Sequence, residues 1–187
     1  MLLKNSENRA IIGIEDNPEE GEDMTLRKKL ERLPFERWTD GSVSISPILT
    51  ENDMIYATYD CELTDEQKDI VNPAWFSIGR AYLNRDDNYP CLIRSERGEP
   101  IGFINLCAWI GDEPAYSWSY YIDKNSQGKG YGKQAARLAI EILKAADPKM
   151  PIKLAAAAQN IKAQTLYESL GFTRLDELDG DDLVFGL

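Results

Sequence analysis

The chain has 187 residues, 43% hydrophobic and 28% charged, with a formal net charge of −11 and a pI near 4.6. That length suits one domain able to bury about 70% of its unfolded surface, and no apolar run approaches the ~18 residues of a membrane span. With no His, and with Cys61, Cys91 and Cys107 outside any Cys-x-x-Cys spacing, the chain lacks every Ser-His or Cys-His catalytic arrangement, and a zinc centre or disulfide framework is disfavoured.

Residues 1–42 read as an N-terminal extension of unknown function. An acidic loop, Glu15 to Asp23, precedes a short charged helix from Met24 to Arg32 that Pro34 stops. The first residues lack the apolar stretch of a signal peptide, so a cytoplasmic protein is expected. Ser42 to Ile48 alternates as a strand. Thr50-Glu51-Asn52-Asp53 and Thr64-Asp65-Glu66-Gln67 resemble capping boxes, the first opening a helix to about Asp60. Asn72-Pro73 breaks the second helical stretch, which resumes from Ala74 to Asn84. Cys91 to Arg94 and Ile101 to Trp109 read as paired strands about a turn at Glu96 to Pro100. Tyr116 to Ile122 is a fourth strand, Lys133 to Ala146 a long helix, and Pro151 to Ala157 a fifth strand of weak propensity. The end of the chain reads as two strands about Asp179-Gly180-Asp181. The cysteines are expected to act as small buried hydrophobes.

Between the fourth strand and the long helix lies Gln127-Gly128-Lys129-Gly130-Tyr131-Gly132. Three alternating glycines let a backbone approach a ligand closely, and the unpaired N–H groups of a helix start favour a diphosphate. No Gly-Lys-Ser or Gly-Lys-Thr follows, so this is not a Walker A loop. The third glycine falls one residue early for a dinucleotide fingerprint. A turn without a ligand also accounts for the loop taken alone.

Asn160 to Phe172 reads as a helix with both ends marked, by Asn160 as N-cap and Gly171 at C′. Ala163, Leu166, Tyr167 and Leu170 share one face. On that reading alone Tyr167 is equally a core residue.

Together, Gln-x-x-Gly-x-Gly on Gln127, Gly130 and Gly132 and Asn-x-x-Ala-x-x-x-Tyr-x-x-x-Gly-Phe on Asn160 to Phe172 resemble the two signatures of the GCN5-related N-acetyltransferase (GNAT) superfamily. The resemblance covers residues 43–187. It implies an α/β fold: a mixed sheet of about six to seven strands flanked by about four helices, with the fourth and fifth strands splayed. It also implies acetyl-CoA as cosubstrate and direct attack by an amine in a ternary complex. The pantetheine arm would pair with the backbone of Tyr121, Ile122 and Asp123. The diphosphate would sit on Gln127, Gly128, Lys129, Gly130, Tyr131 and Gly132, with Lys133 adding charge. Asn160 would shape the pantetheine end, and Tyr167 would be the general acid.

Leu63 to Val71, with Glu66-Gln67, and the runs Asn88-Tyr89-Pro90, Gly98 to Phe103 and Ile122-Asp123-Lys124 are similar to bacterial diamine and polyamine N-acetyltransferases. Tyr116 to Tyr121 departs from that group in lacking a basic residue. The acidic balance repels nucleic acid and suits a small cationic amine such as spermine or spermidine, and an aminoglycoside equally. A protein N-terminus is another acceptor, and a non-catalytic acyl-CoA-binding domain is the reading from a different class. Trp75, Trp118, Tyr120 and Asp60 or Glu62 are candidates to hold the amine. Glu62, Asp112, Glu113 and Asp123 are candidates for its general base. No metal site is expected, and a homodimer is possible by analogy with the superfamily.

Overall fold

The computed structural model describes residues 24–111 and 113–187; the acidic loop Glu15 to Asp23 and the base candidate Asp112 lie outside them. Among these residues seven strands form two antiparallel sheets. The first has the order β1-β2-β3-β4: β1 (Val43–Pro47), β2 (Asn88–Ser95), β3 (Pro100–Ala108) and β4 (Tyr116–Ile122). The second has the order β5-β7-β6: β5 (Lys153–Ala156), β6 (Thr173–Asp179) and β7 (Asp182–Gly186). A parallel bridge between Tyr116 and Ile152 joins them, making the whole a mixed sheet of seven strands. Tyr116 N–H donates to the Pro151 carbonyl at 2.8 Å to close that joint. Beyond the joint no further ladder links β4 to β5, so the two strands splay apart toward Ile122.

Among the described residues six helices accompany the sheet: α1 (Leu26–Glu31), α2 (Glu51–Ile55), α3 (Asp65–Lys68), α4 (Ala74–Leu83), α5 (Tyr131–Ala146) and α6 (Ile161–Ser169). Both capping boxes form, on Thr50 with Asp53 and on Thr64 with Gln67. The end of α2 widens into a π turn over Tyr56–Asp60, where Cys61 N–H reaches back to the Tyr56 carbonyl. Among the described residues no helix is long and apolar enough to cross a membrane.

The alternation of β4 sets the two faces. Tyr116, Trp118, Tyr120 and Ile122 face α5 and α6, in the core that holds Leu138, Ile142, Phe172 and Phe185. Tyr121 faces the other way, into a smaller core with Ala57, Ala74, Leu92 and Phe103. In α5 the apolar positions Ala135, Leu138, Ala139 and Ile142, spaced three and four apart, are all buried.

Residues 26–38 pack into this same core. Leu30 of α1 is fully buried, and Trp38, in a 3-10 turn, packs against Tyr89. Lys29 Nζ meets Asp147, at the C-cap of α5, at 2.8 Å. The alanine-rich β5 forms despite weak propensity, because β7 pairs along it from Lys153 to Ala156.

Candidate active site

The splayed end of β4 forms the floor of a cleft of ≈ 490 Å³. Ser119, Tyr120, Tyr121 and Ile122 supply that floor. The glycine loop, from Ser126 through Gly128, Gly130, Tyr131 and Gly132 to Lys133, closes one end. Asn160, Ala163, Leu166 and Tyr167 of the α6 segment form one wall, and Thr64, Gln67, Ile70 and Val71 the other.

Local sequence builds each part. Gly130, at φ 86°, is the N-cap of α5, a left-handed conformation that costs a side chain roughly 1–2 kcal/mol. Lys133 and Gln134 are the first N–H groups to find a helical acceptor, both in the Gly130 carbonyl. The donors before them belong to residues that line the cleft end, and a helix start leaves such N–H groups without helical acceptors. A Cβ on Gly128 or Gly130 would meet nothing, so the space over this loop is open for a phosphate group. The Tyr120 hydroxyl donates to the Gly132 carbonyl at 3.1 Å, pinning the first turn of α5 to β4. Asn160 caps α6, its Oδ1 accepting from Ala163 N–H at 3.1 Å.

Tyr167 projects from α6 between Phe172 and Phe185 and is buried except toward the cleft. Burial pushes its phenol up to about 12, which keeps it protonated at neutral pH. The Tyr120 phenol is likewise raised, first by burial and then by Tyr167 beside it.

At the mouth, two amides converge on one carbonyl. Gln67 Nε2 and Gln127 Nε2 each donate to the Ile122 carbonyl at 3.1 Å, and Gln127 Nε2 also donates to Gln67 Oε1 at 2.8 Å. An ion pair between Lys162 of α6 and Glu66 of α3 joins the two walls at 2.8 Å. Sequence reasoning missed Gln67 as a site residue. It occupies N3 of a capping box, a local duty that accounts for its presence without reference to Ile122.

Tyr120, Tyr121, Ile122, Gln127, Gly128, Gly130, Tyr131, Gly132, Lys133, Asn160 and Tyr167 are therefore brought together. Other candidates are not. Asp123 is buried beneath the cleft, its carboxylate accepting from the backbones of Glu62 and Asn125 as a loop cap. Lys129 turns away to the Asn125 carbonyl. Glu62 is exposed and paired with Lys124, which holds its carboxyl below the usual range. Asp60 is exposed, and Trp75 stands on the outer face of α4. Trp118 points into the core against Phe172, because β4 alternation sends it to the face opposite Tyr121. Glu113 lines a second cavity of ≈ 370 Å³ with Trp109, Glu177 and Asp179, where Lys153 meets Glu177 at 2.9 Å. Burial raises the Cys61 and Cys107 thiols to about 12 and about 11, so both are protonated near neutrality. Among the described residues no group of three His, Cys, Asp or Glu side chains is placed to hold a metal ion.

A helix-terminal glycine loop thus stands at the open end of two splayed strands, with a buried tyrosine on the facing helix. The family model for the acetyltransferase (GNAT) family matches residues 52–172, well over half of the chain. The chain belongs to this family. It is an acetyl-CoA-dependent N-acetyltransferase. Among solved structures, Mycobacterium smegmatis RimJ in complex with CoA-disulfide matches this GNAT domain with a TM-score of 0.61 at 17% identity, over 78% of this chain and 81% of that one. The aminoglycoside acetyltransferase AAC(6')-Ib in complex with coenzyme A matches at 0.59 and 22%, over 78% and 93%. An acetyltransferase from Agrobacterium tumefaciens matches at 0.58 and 17%, over 78% and 90%. At these identities the likeness is one of fold. A search of curated protein sequences finds no significant relative.

The cleft fits acetyl-CoA: an open glycine loop at a helix start with Lys133 next to it at one end, and the apolar side chains of Leu166, Val71 and Ile70 along the walls.

Proposed function

We propose that this GNAT enzyme acetylates a primary amine of a small polycation of the spermine or spermidine class, by direct attack in a ternary complex. The observation that carries the mechanism is the continuous cleft from the glycine loop to the protonated Tyr167 phenol. Acetyl-CoA supplies the thioester. The amine nitrogen forms a bond to the carbonyl carbon, the carbon–sulfur bond breaks, and Tyr167 donates its phenolic proton to the departing thiolate.

The amine must arrive neutral, and an alkyl amine titrating near 10.4 is free in only about one molecule in 2,500 at pH 7. Glu66 is the one carboxylate among the described cleft-lining residues, and it is held by Lys162. Proton removal therefore falls to water. The substrate class rests on the resemblance of Leu63 to Val71 to polyamine enzymes and on the net charge of −11, which raises the local concentration of polycations. A second acceptor class, the aminoglycosides, is favoured by the fold shared with AAC(6')-Ib.

The test is release of free CoA from acetyl-CoA with spermine, spermidine, putrescine, an aminoglycoside and a short peptide. Turnover confined to spermine or spermidine supports the reading. Turnover on another amine keeps the mechanism and discards the substrate. Silence with CoA binding intact removes the catalytic assignment.

A further inference from the structure

We propose that the outer face of α4 is a self-association surface on which a second copy of this chain packs. The helix is apolar on both sides, and its sides are inverted in size. Its small residues Ala74, Ser77 and Ala81 are buried against the sheet. Its large ones face outward: Trp75 is 62% exposed, Phe76 41%, Tyr82 88% and Leu83 77%. A helix hydrophobic all round is normally covered all round, and contiguous exposed apolar patches mark interaction sites.

The spacing identifies the partner. The four residues stand at −4, −3, +3 and +4 about Gly79, so the strip is palindromic. A two-fold axis through Gly79 maps it onto itself, with two α4 helices antiparallel. Trp75 then lies over Leu83 of the partner subunit, and Phe76 over Tyr82 of the partner subunit. That is the self-complementarity an isologous interface requires. Gly79 has no role within one chain that explains it. Its φ is ordinary, a Cβ there would meet nothing, and glycine within a helix costs about 1 kcal/mol relative to alanine. Close approach of a second helix is what a missing side chain at that point permits.

The area is sufficient. With 150–250 Å² for each aromatic side chain, the exposed parts of the four residues offer roughly 600 Å², approaching the ~800 Å² per partner of a standard interface.

The experiment is the mass of the full chain by light scattering over a dilution series, with three variants. Wild type should show twice the 21.2 kDa of one chain. Gly79→Arg should weaken association by about 30-fold or more, while at dilutions where both proteins are monomeric its melting temperature equals or exceeds that of wild type, since nothing in the monomer lies near its Cβ. Gly79→Cys should form an intermolecular disulfide on mild oxidation, because the axis brings the two positions together, while the exposed Glu141→Cys should not. A monomeric wild type at every concentration overturns the proposal. So does a dimer that survives Gly79→Arg or that cross-links equally through Glu141→Cys.

Discussion

Gln67 and Gln127 are 60 residues apart, yet their carboxamides meet at 2.8 Å and both cap the carbonyl of Ile122. The contact ties the α3 cap to the first residue of the glycine loop at the mouth of the candidate acetyl-CoA cleft. Gln67→Ala removes the donor to Ile122 and the acceptor for Gln127. The expected result is a rise in KM for acetyl-CoA of about fivefold, one hydrogen bond's worth, with kcat little changed. Steady-state kinetics with calorimetric CoA binding checks it. An equal fall in kcat at unchanged KM would refute a positioning role.

Tyr167→Phe keeps the ring between Phe172 and Phe185 and removes only the proton donor. The expected loss in kcat is about 10²–10⁴-fold, with CoA affinity preserved. Parallel binding and turnover measurements separate this from a packing defect, in which CoA affinity would fall as well.

The pH profile follows from the same phenol. A general acid works in its protonated form, and burial raises Tyr167 to about 12, so its loss comes only as pH climbs through about 12. Below that, kcat/KM should rise with pH as the amine loses its proton, up to the amine's own pKa near 10.4. A descending limb below pH 10 that vanishes in Tyr167→Phe would contradict the raised phenol.

Stability should respond to pH through Lys29 and Asp147. The hydrogen bond from Lys29 holds the Asp147 carboxyl below its ordinary 3.8, despite desolvation. Desolvation pulls Lys29 down, but its bonds to Asp147 and Tyr116 carry it above 10.5. A depressed acid contributes stability that is present above its unfolded pKa and lost as pH falls through the folded one. A raised base contributes stability present below 10.5 and lost at higher pH. The pair therefore stabilises fully between about pH 4 and 10. Asp147→Asn should lower the melting temperature in that window and by less below pH 3, as thermal scans across pH will show.

Leu30→Ala tests whether the chain before Val43 is integral to the domain. The side chain is fully buried, so the expected loss is about 2–5 kcal/mol in denaturant unfolding. A loss near zero would make α1 a detachable appendage.

Much of the fold was legible locally. The capping boxes at Thr50 and Thr64, the break at Pro73, the β4 alternation and the Asn160 cap each depend on a few neighbouring residues, and each forms. The glycine loop and the Asn160 helix, which line one cleft, were legible as candidates for the acetyl-CoA site, because donors at a helix start and an N-capped tyrosine helix are short-range patterns. What sequence could not give was direction. Trp118 and Tyr120 are two residues apart on the same face of β4, yet one ends in the core and the other on the cleft floor, decided by how far β5 follows β4 before diverging. Asp123 and Glu62 looked available for chemistry until the turn after β4 made one a loop cap and the other an exposed ion pair. The charged α1 looked peripheral, but Leu26 and Leu30 bury its inner face in the core and Lys29 ties it to Asp147 at the end of α5. Sequence determined which segments are helix, strand and loop, since hydrogen-bonded caps and periodicity are local. Tertiary structure alone decided which side chains share a cleft, since burial is a property of what packs against them.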